Sequence, residues 1–277
     1  MERFRRLGAA AAALIDRALF LSRLRPVRTA TIDGLCFSYA HEKEFATIHR
    51  DVFGDREYRF AADSPAPLIL DGGAHIGVSV LFFKRLHARA RIVAFEPNPT
   101  VFSLLQRNVR QNDLADVRLV NAALAPEAGE IDFHAQRGGC RERTWGGSAA
   151  RNRWLEFDPE ASRTIRVPAV RLSSFLDRPV DLLKLDVEGL EAEVLAEAEP
   201  VLHRAKEIVL EFHGSSTNPA NSLERLLGVL ERTGFAYALE QRGEVVSLDR
   251  VDRTDPYWLI VRAHRRDHEP LPPEAPA

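Results

Sequence analysis

The chain has 277 residues, 45% hydrophobic and 28% charged, which fits one globular unit carrying an extension better than two full domains. A formal net charge of −2 leaves no global basic field, so nucleic acid is not expected as a partner. The two cysteines, Cys36 and Cys140, sit in neither CxxC nor Cys/His metal spacing, which argues against a disulfide or zinc framework and fits a reducing cytoplasm.

Arg3, Arg5 and Arg6 precede an alanine-rich apolar run over residues 7–15, too short to span a membrane and without a small-residue cleavage site. Phe4, Leu7, Leu14 and Leu21 share one helical face, which predicts an amphipathic helix that docks on the body or forms an oligomer contact. Residues 1–64 read as an extension, this helix plus small strands, that covers the site. From residue 68 onward short apolar runs alternate with helical patterns, the signature of a mostly parallel α/β sheet. The first strand covers residues 68–70 and ends at Asp71; a helix over 78–86 follows. The second strand, 91–95, ends at Glu96, and a helix starts near Pro97 and Pro99 with Val101, Leu104, Leu105 and Val109 as its buried stripe. The third strand, 117–120, ends at Asn121.

Residues 131–133 and 164–167 alternate apolar with polar and read as sheet additions outside the parallel core. Between them, residues 137–162 show no period, and such a length predicts a flap, which carries Trp145 and Trp154. The fourth strand, 181–185, ends at Asp186, and a helix runs over 190–202. The fifth, 208–210, ends in Glu211, Phe212 and His213. A helix over 223–230 and closing strands at 235–239, 245–248 and 258–261 complete a domain of residues 65–264, leaving 265–277 as a disordered tail.

Ligands of an open α/β sheet sit beyond the carboxyl ends of its strands. Here those ends read Asp71, Glu96, Asn121, Asp186 and Glu211/His213, all polar immediately after apolar runs. Helix capping explains one such residue, not five on one edge. The loop at residues 71–77 lets backbone approach a ligand, yet Ala74 breaks the GxGxxG dinucleotide spacing and no P-loop Lys-Ser/Thr follows. A ligand here need not carry phosphate: an amino-acid ammonium, such as that of S-adenosylmethionine, suits Asp71. Glu96 falls about 20 residues past the loop, where an acid accepts both ribose hydroxyls. Asn121, with Ala122 and Ala123, is placed to meet an adenine edge.

With these residues on the page, the chain resembles the FkbM family of methyltransferases. The matching segments are residues 68–79, 93–108, 121–124, 184–191 and 211–213, spread over about half the chain. The resemblance implies a class I, Rossmann-like methyltransferase fold, to which the periodicity above adds an N-terminal helical extension and antiparallel closing strands. It also implies S-adenosylmethionine as methyl donor and a small-molecule acceptor hydroxyl, on a natural product or sugar. The expected cofactor set is Asp71, Gly73, Ala74, His75, Gly77, Ser79, Glu96, Pro97, Asn121, Ala122 and Asp186. His75 stands where the family often has asparagine, so its side chain carries no inherited role.

Removing a proton from an alcohol acceptor calls for a base, and Asp186, Glu188, Glu211 and His213 lie at the right strand ends. His213 has the intrinsic pKa best suited to a general base, with Asp186 and Glu188 as its catalytic companions. The alternative is that Asp186, Glu211 and His213 hold a divalent cation such as magnesium; the reading without metal is preferred. Trp145 and Trp154 either cover the acceptor or fill core, and Tyr58, Arg59 and Phe60 either edge the cofactor mouth or simply pack. Two other functions compete: a nicotinamide-dependent oxidoreductase on a similar sheet, and a non-catalytic protein that keeps the cofactor fold as a scaffold. A nucleic-acid methyltransferase is disfavoured by the lack of an NPPY/DPPY-type motif after the fourth strand.

Overall fold

The computed structural model describes residues 27–136, 144, 146–150 and 162–267. The expected N-terminal helix and its oligomer contact, Trp145, Trp154 and most of the tail lie outside the described residues. The described residues open with a hairpin, β1 (Arg28–Ile32) and β2 (Leu35–Tyr39), then α1 (Glu42–His49) and a π-helical turn, Arg50–Gly54. The βα units follow: β3 (Leu68–Gly72), α2 (Val78–Leu86), β4 (Arg91–Phe95), α3 (Pro99–Gln111) and β5 (Val117–Val120). A three-stranded side sheet comprises β6 (Ala123–Leu124), β7 (Gly129–Gln136) and β8 (Ser162–Val170), so the alternating segments do stand outside the parallel core. Then come β9 (Val180–Leu185), α4 (Glu191–Ala198), β10 (Ala205–Gly214), α5 (Leu223–Arg232), β11 (Phe235–Gln241), β12 (Glu244–Val246) and β13 (Tyr257–Arg265).

The main sheet has the order β12-β11-β13-β10-β9-β3-β4-β5. Strands β10, β9, β3, β4 and β5 run parallel, and β13, β11 and β12 close the sheet antiparallel. Strand order therefore reverses between β3 and β9, the switch point where such sheets bind ligands. The parallel strands are apolar on both faces, as burial under two helical layers demands. Ile69, Ile92, Leu182 and Val209 pack on α2, α3 and the N-terminal extension, while Leu70, Leu183, Leu185 and Ile208 pack on α4 and α5. Helix α5 shows how local chemistry sets this: Ser222 caps it, and Leu223, Leu226, Leu227 and Leu230 form one buried stripe. Each such leucine contributes about 1.5–3 kcal/mol relative to exposure.

Four expected boundaries shift. The helix after strand four stops at Ala198 and continues as a 3-10 turn, Glu199–Arg204, because Pro200 has no N–H for the next α-helical bond. β12 ends at Val246, with a 3-10 turn at Leu248–Arg250, and β13 runs on to Arg265, into the segment expected to be tail. β10 is also longer than expected and outruns its parallel partner: β9 stops at Leu185 opposite Leu210, while β10 continues to Gly214 paired only with β13. Glu211 and His213 therefore lie on a one-sided ledge beyond the parallel edge. Among the described residues no helix is long and apolar enough to cross a membrane.

Candidate functional site

A cavity of about 1200 Å³ opens at this edge, lined by the strand ends, by part of residues 47–59, and by Thr144, Gly146, Gly147 and Ala149. Its floor is the β3–β9 switch. Gly73 has φ +74°, and a Cβ added there would lie 1.7 Å from the Asp186 carbonyl oxygen, so only glycine allows the two strand ends this close. Gly77 (φ +89°) turns the chain into α2 against Leu105.

Asp71 does not reach the cavity. It is 0% exposed, its Oδ2 accepts from Ser79 Oγ at 2.6 Å, and its Oδ1 lies 3.3 Å from Lys184 Nζ. Lys184 also donates to the Gly73 and Gly72 carbonyls at 2.7 and 3.1 Å and lies 3.5 Å from Asp186. Burial alone would lower the pKa of this lysine, but Asp71 and Asp186 hold it above the ordinary value. The expectation that Asp71 receives the cofactor is thus corrected. It anchors Lys184, which pins the loop from beneath, and Gly77 likewise shapes the turn without lining the cavity.

Glu96 stands at the end of β4 inside the cavity, where Oε2 accepts from His75 N–H at 3.1 Å and Oε1 from Asn98 N–H at 2.7 Å. Burial pushes its pKa up to about 8 despite those bonds. Pro97, Ala122, Ala123 and Leu124 line the wall beside it. Asn121 does not: its amide donates to the carbonyls of Glu96 and Pro97 at 2.8 and 3.0 Å, spending it on the shape of the β4 loop rather than on a ligand. His75 lies on the wall, and its Nε2 is 2.9 Å from Thr144 Oγ1. Thr144 donates both its N–H and its hydroxyl to Glu44 Oε2 at 2.9 Å, so the imidazole must donate to Thr144 and is neutral. Burial, helped by Lys184, lowers the His75 pKa to about 4.

At the ends of β9 and β10, Asp186, Glu188, Glu211 and His213 all line the cavity. His213 is 4% exposed, with Nδ1 3.0 Å from Glu191 Oε1 and Nε2 3.5 Å from both Glu188 Oε2 and Glu211 Oε1. Burial alone would lower its pKa, but the Glu188 and Glu191 carboxylates raise it well above the ordinary value. The imidazole therefore carries its proton at neutral pH, which corrects its expected part as free general base. Burial moves Asp186 up to about 6 and Glu188 up to about 8, His213 opposing the latter shift and neighbouring acids adding to it.

The remaining wall was less legible. Tyr58 is buried and places its ring 5.1 Å from Lys184 Nζ, so it edges the site instead of merely packing. Trp258 pairs with His213 across β10 and β13, is 40% exposed and lines the mouth with Val245. Arg262 bridges Glu240 Oε1 and the Glu57 carbonyl, both at 2.7 Å, clamping the extension to the closing strands. Tyr58 was already a candidate for the mouth; of the others, the sequence carried a usable signal only for Lys184: a lone charge within a strand due to be buried on both faces.

A model of the methyltransferase FkbM domain matches residues 71–237. The chain is 30% identical over 216 residues to Methyltransferase 1 of Beauveria bassiana, covering 73% of this chain and 85% of that protein. It is 28% identical to the 31-O-demethyl-FK506 methyltransferase FkbM of Streptomyces tacrolimicus, covering 76% of this chain and 88% of that one. It is also 28% identical to the 2-O-methyltransferase NoeI of Sinorhizobium fredii, covering 54% and 65%. The chain belongs to the FkbM methyltransferase family.

Proposed function

We propose that this methyltransferase transfers the methyl group of S-adenosylmethionine to a hydroxyl of a small molecule, of natural-product or sugar-like character. One observation carries the choice of cofactor. The N–H groups of Gly73 and Ala74 both donate to the Phe95 carbonyl, that of His75 to Glu96 and that of Gly77 to the Ala74 carbonyl. A pyrophosphate needs free N–H groups at this loop, and these four are already spent. The wall facing the loop carries Glu96, Asp186, Glu188 and Glu211, carboxyl groups whose ionisation a sulfonium and an ammonium favour and the phosphates of a dinucleotide oppose.

When bound, the cofactor supplies an electrophilic methyl on a positively charged sulfur and departs as the neutral thioether. Glu96 accepts the ribose hydroxyls, while Ala122, Ala123 and Leu124 bound the base. The Gly73 backbone and Asp186 hold the amino-acid end. The acceptor lies on the other side of the Asp186–His213 ledge, against Trp258 and Val245, with its hydroxyl toward Glu188. In its ionised form, which gains as pH approaches about 8, Glu188 takes the hydroxyl proton, and His213, held by Glu191, keeps the neighbouring carboxylates in place. The names of the FkbM and NoeI relatives support transfer to oxygen.

Calorimetric titration with S-adenosylhomocysteine and with NAD tests the cofactor, and a screen of hydroxylated acceptors for a gain of one methyl tests the reaction. Binding of the first ligand alone is expected. Binding of NAD without S-adenosylhomocysteine would overturn the assignment.

A further inference from the structure

We propose that Asp186, Glu211 and His213 bind one divalent cation, magnesium or manganese, where the cofactor and acceptor halves of the cavity meet. This rests on the methyltransferase reading only for its use, since the site is argued from ligand geometry. One ligand atom from each residue lies within 4.8 Å of the others. Glu211 Oε1 and His213 Nε2 are 3.5 Å apart, and neighbouring ligands at about 2.1 Å from a metal sit about 3 Å apart, so this pair closes by about half an ångström, and the set as a whole, spread over up to 4.8 Å, closes by more.

The histidine is also prepared from behind. Glu191 Oε1 lies 3.0 Å from Nδ1, and the glutamate is itself fixed by the Gly189 N–H at 2.9 Å and by Asn221 Nδ2 at 2.7 Å. Asn221 Nδ2 further donates to the His213 carbonyl at 2.8 Å. Metal-binding imidazoles are oriented in this way, with the outer nitrogen bonded to a carboxylate and the inner one presented to the ion, which here would displace the Nε2 proton that the carboxylates hold in its absence.

A separate observation comes from the opposite wall. Tyr58 is 5% exposed and lines the cavity, yet its hydroxyl makes no hydrogen bond among the described residues. Its ring lies 5.1 Å from Lys184 Nζ, and burial, then the Asp186, Glu57 and Glu211 carboxylates, raise its pKa. Tyr58 lines the cavity, and its hydroxyl is free to donate to a water on the cation. The charge balance agrees. Among the described residues, Glu188, Glu191 and Glu211 face the His213 imidazole, while Lys184 is shared by Asp71, Asp186 and two carbonyls. Hard oxygen ligands with one imidazole suit magnesium or manganese. In this position the cation would hold the acceptor oxygen and lower the pKa of its hydroxyl.

The test is a titration of the metal-free full chain with Mn²⁺, followed by the electron paramagnetic resonance of the free ion, with Mg²⁺ as competitor. One saturable site per chain is expected. Glu211→Gln should weaken it at least tenfold, with an unchanged circular dichroism spectrum as the check on folding. If that variant fails to fold, Glu211→Asp, which shortens the ligand arm, should still weaken the site severalfold. A wild-type chain with no saturable Mn²⁺ site, or a folded Glu211 variant that binds Mn²⁺ as wild type does, overturns the proposal. Full turnover after exhaustive chelation would also sink the cation and leave the methyltransferase reading standing. A saturable Mn²⁺ site in a chain that binds no S-adenosylhomocysteine would do the reverse.

Discussion

The floor and the mouth of the cavity are built on different principles. The floor comes from the β3–β9 switch, where Gly73, Lys184 and Asp186 touch through backbone and buried charge and nothing is free to move. The mouth comes from residues 47–59 and from β11–β13, where Trp258 and Val245 stand exposed and the Arg262–Glu240 pair is the clamp. Fixed backbone suits a ligand common to the whole family. Side chains on a closing hairpin can change without disturbing the sheet, which suits an acceptor that differs from member to member.

The most damaging way to break the floor is Gly73→Ala. The added carbon meets a backbone oxygen rather than a flexible side chain, so β3 and β9 must separate. S-adenosylhomocysteine affinity is expected to fall at least about a hundredfold, close to 3 kcal/mol, as read by calorimetry. An affinity within threefold of wild type would show that the switch tolerates movement and that the floor is not rigid.

Glu96→Gln sharpens the same side of the comparison. A charge-assisted hydrogen bond contributes about 1.5–3 kcal/mol, so a loss of about ten- to a hundredfold in cofactor affinity is expected. The pH dependence has a defined sign. In the free protein burial holds Glu96 up to about 8, and hydroxyl donors from a ligand favour its charged form, so binding lowers that pKa and releases a proton. Affinity should therefore rise with pH up to about 8 and level off above it. The variant should lose that part of the slope. A wild-type affinity that falls as pH rises from 6 to 8 contradicts the ribose assignment.

The same division explains what the sequence could disclose. Asp186, Glu96 and the Glu211–His213 ledge were legible because an apolar run that ends in an acid marks both a strand end and a place where charge is kept near a ligand. The order of βα units was legible for the same reason. The errors at Asp71 and Asn121 have another origin: both are polar residues at strand ends, but their partners, Lys184 for one and the β4 loop carbonyls for the other, are set by sheet pairing. A strand-end position tells which edge a residue occupies and not whether its hydrogen bonds are already spent. His213 misled in the same way. Its ordinary pKa suggested a base, while Glu188 and Glu191, brought in by the turn after β9 and the start of α4, keep it charged. Trp258 gave no local signal, because its place beside His213 depends on the antiparallel register of β10 with β13.

Trp258→Ala gives the smallest effect and the clearest division between the halves. The indole is 40% exposed, so its removal should leave folding nearly untouched. An aromatic platform contributes about 0.5–1.5 kcal/mol beyond its buried area, so the acceptor KM should rise about tenfold at most. The rate at saturating acceptor should change less than twofold, because Glu188 and the ledge are unaltered. S-adenosylhomocysteine affinity should stay as in the wild type, whereas Glu96→Gln should shift it and leave acceptor KM nearly alone. If Trp258→Ala instead weakened cofactor binding as much as acceptor binding, the cavity would be one compartment with a shared ligand, and the separation of rigid floor from variable mouth would fail.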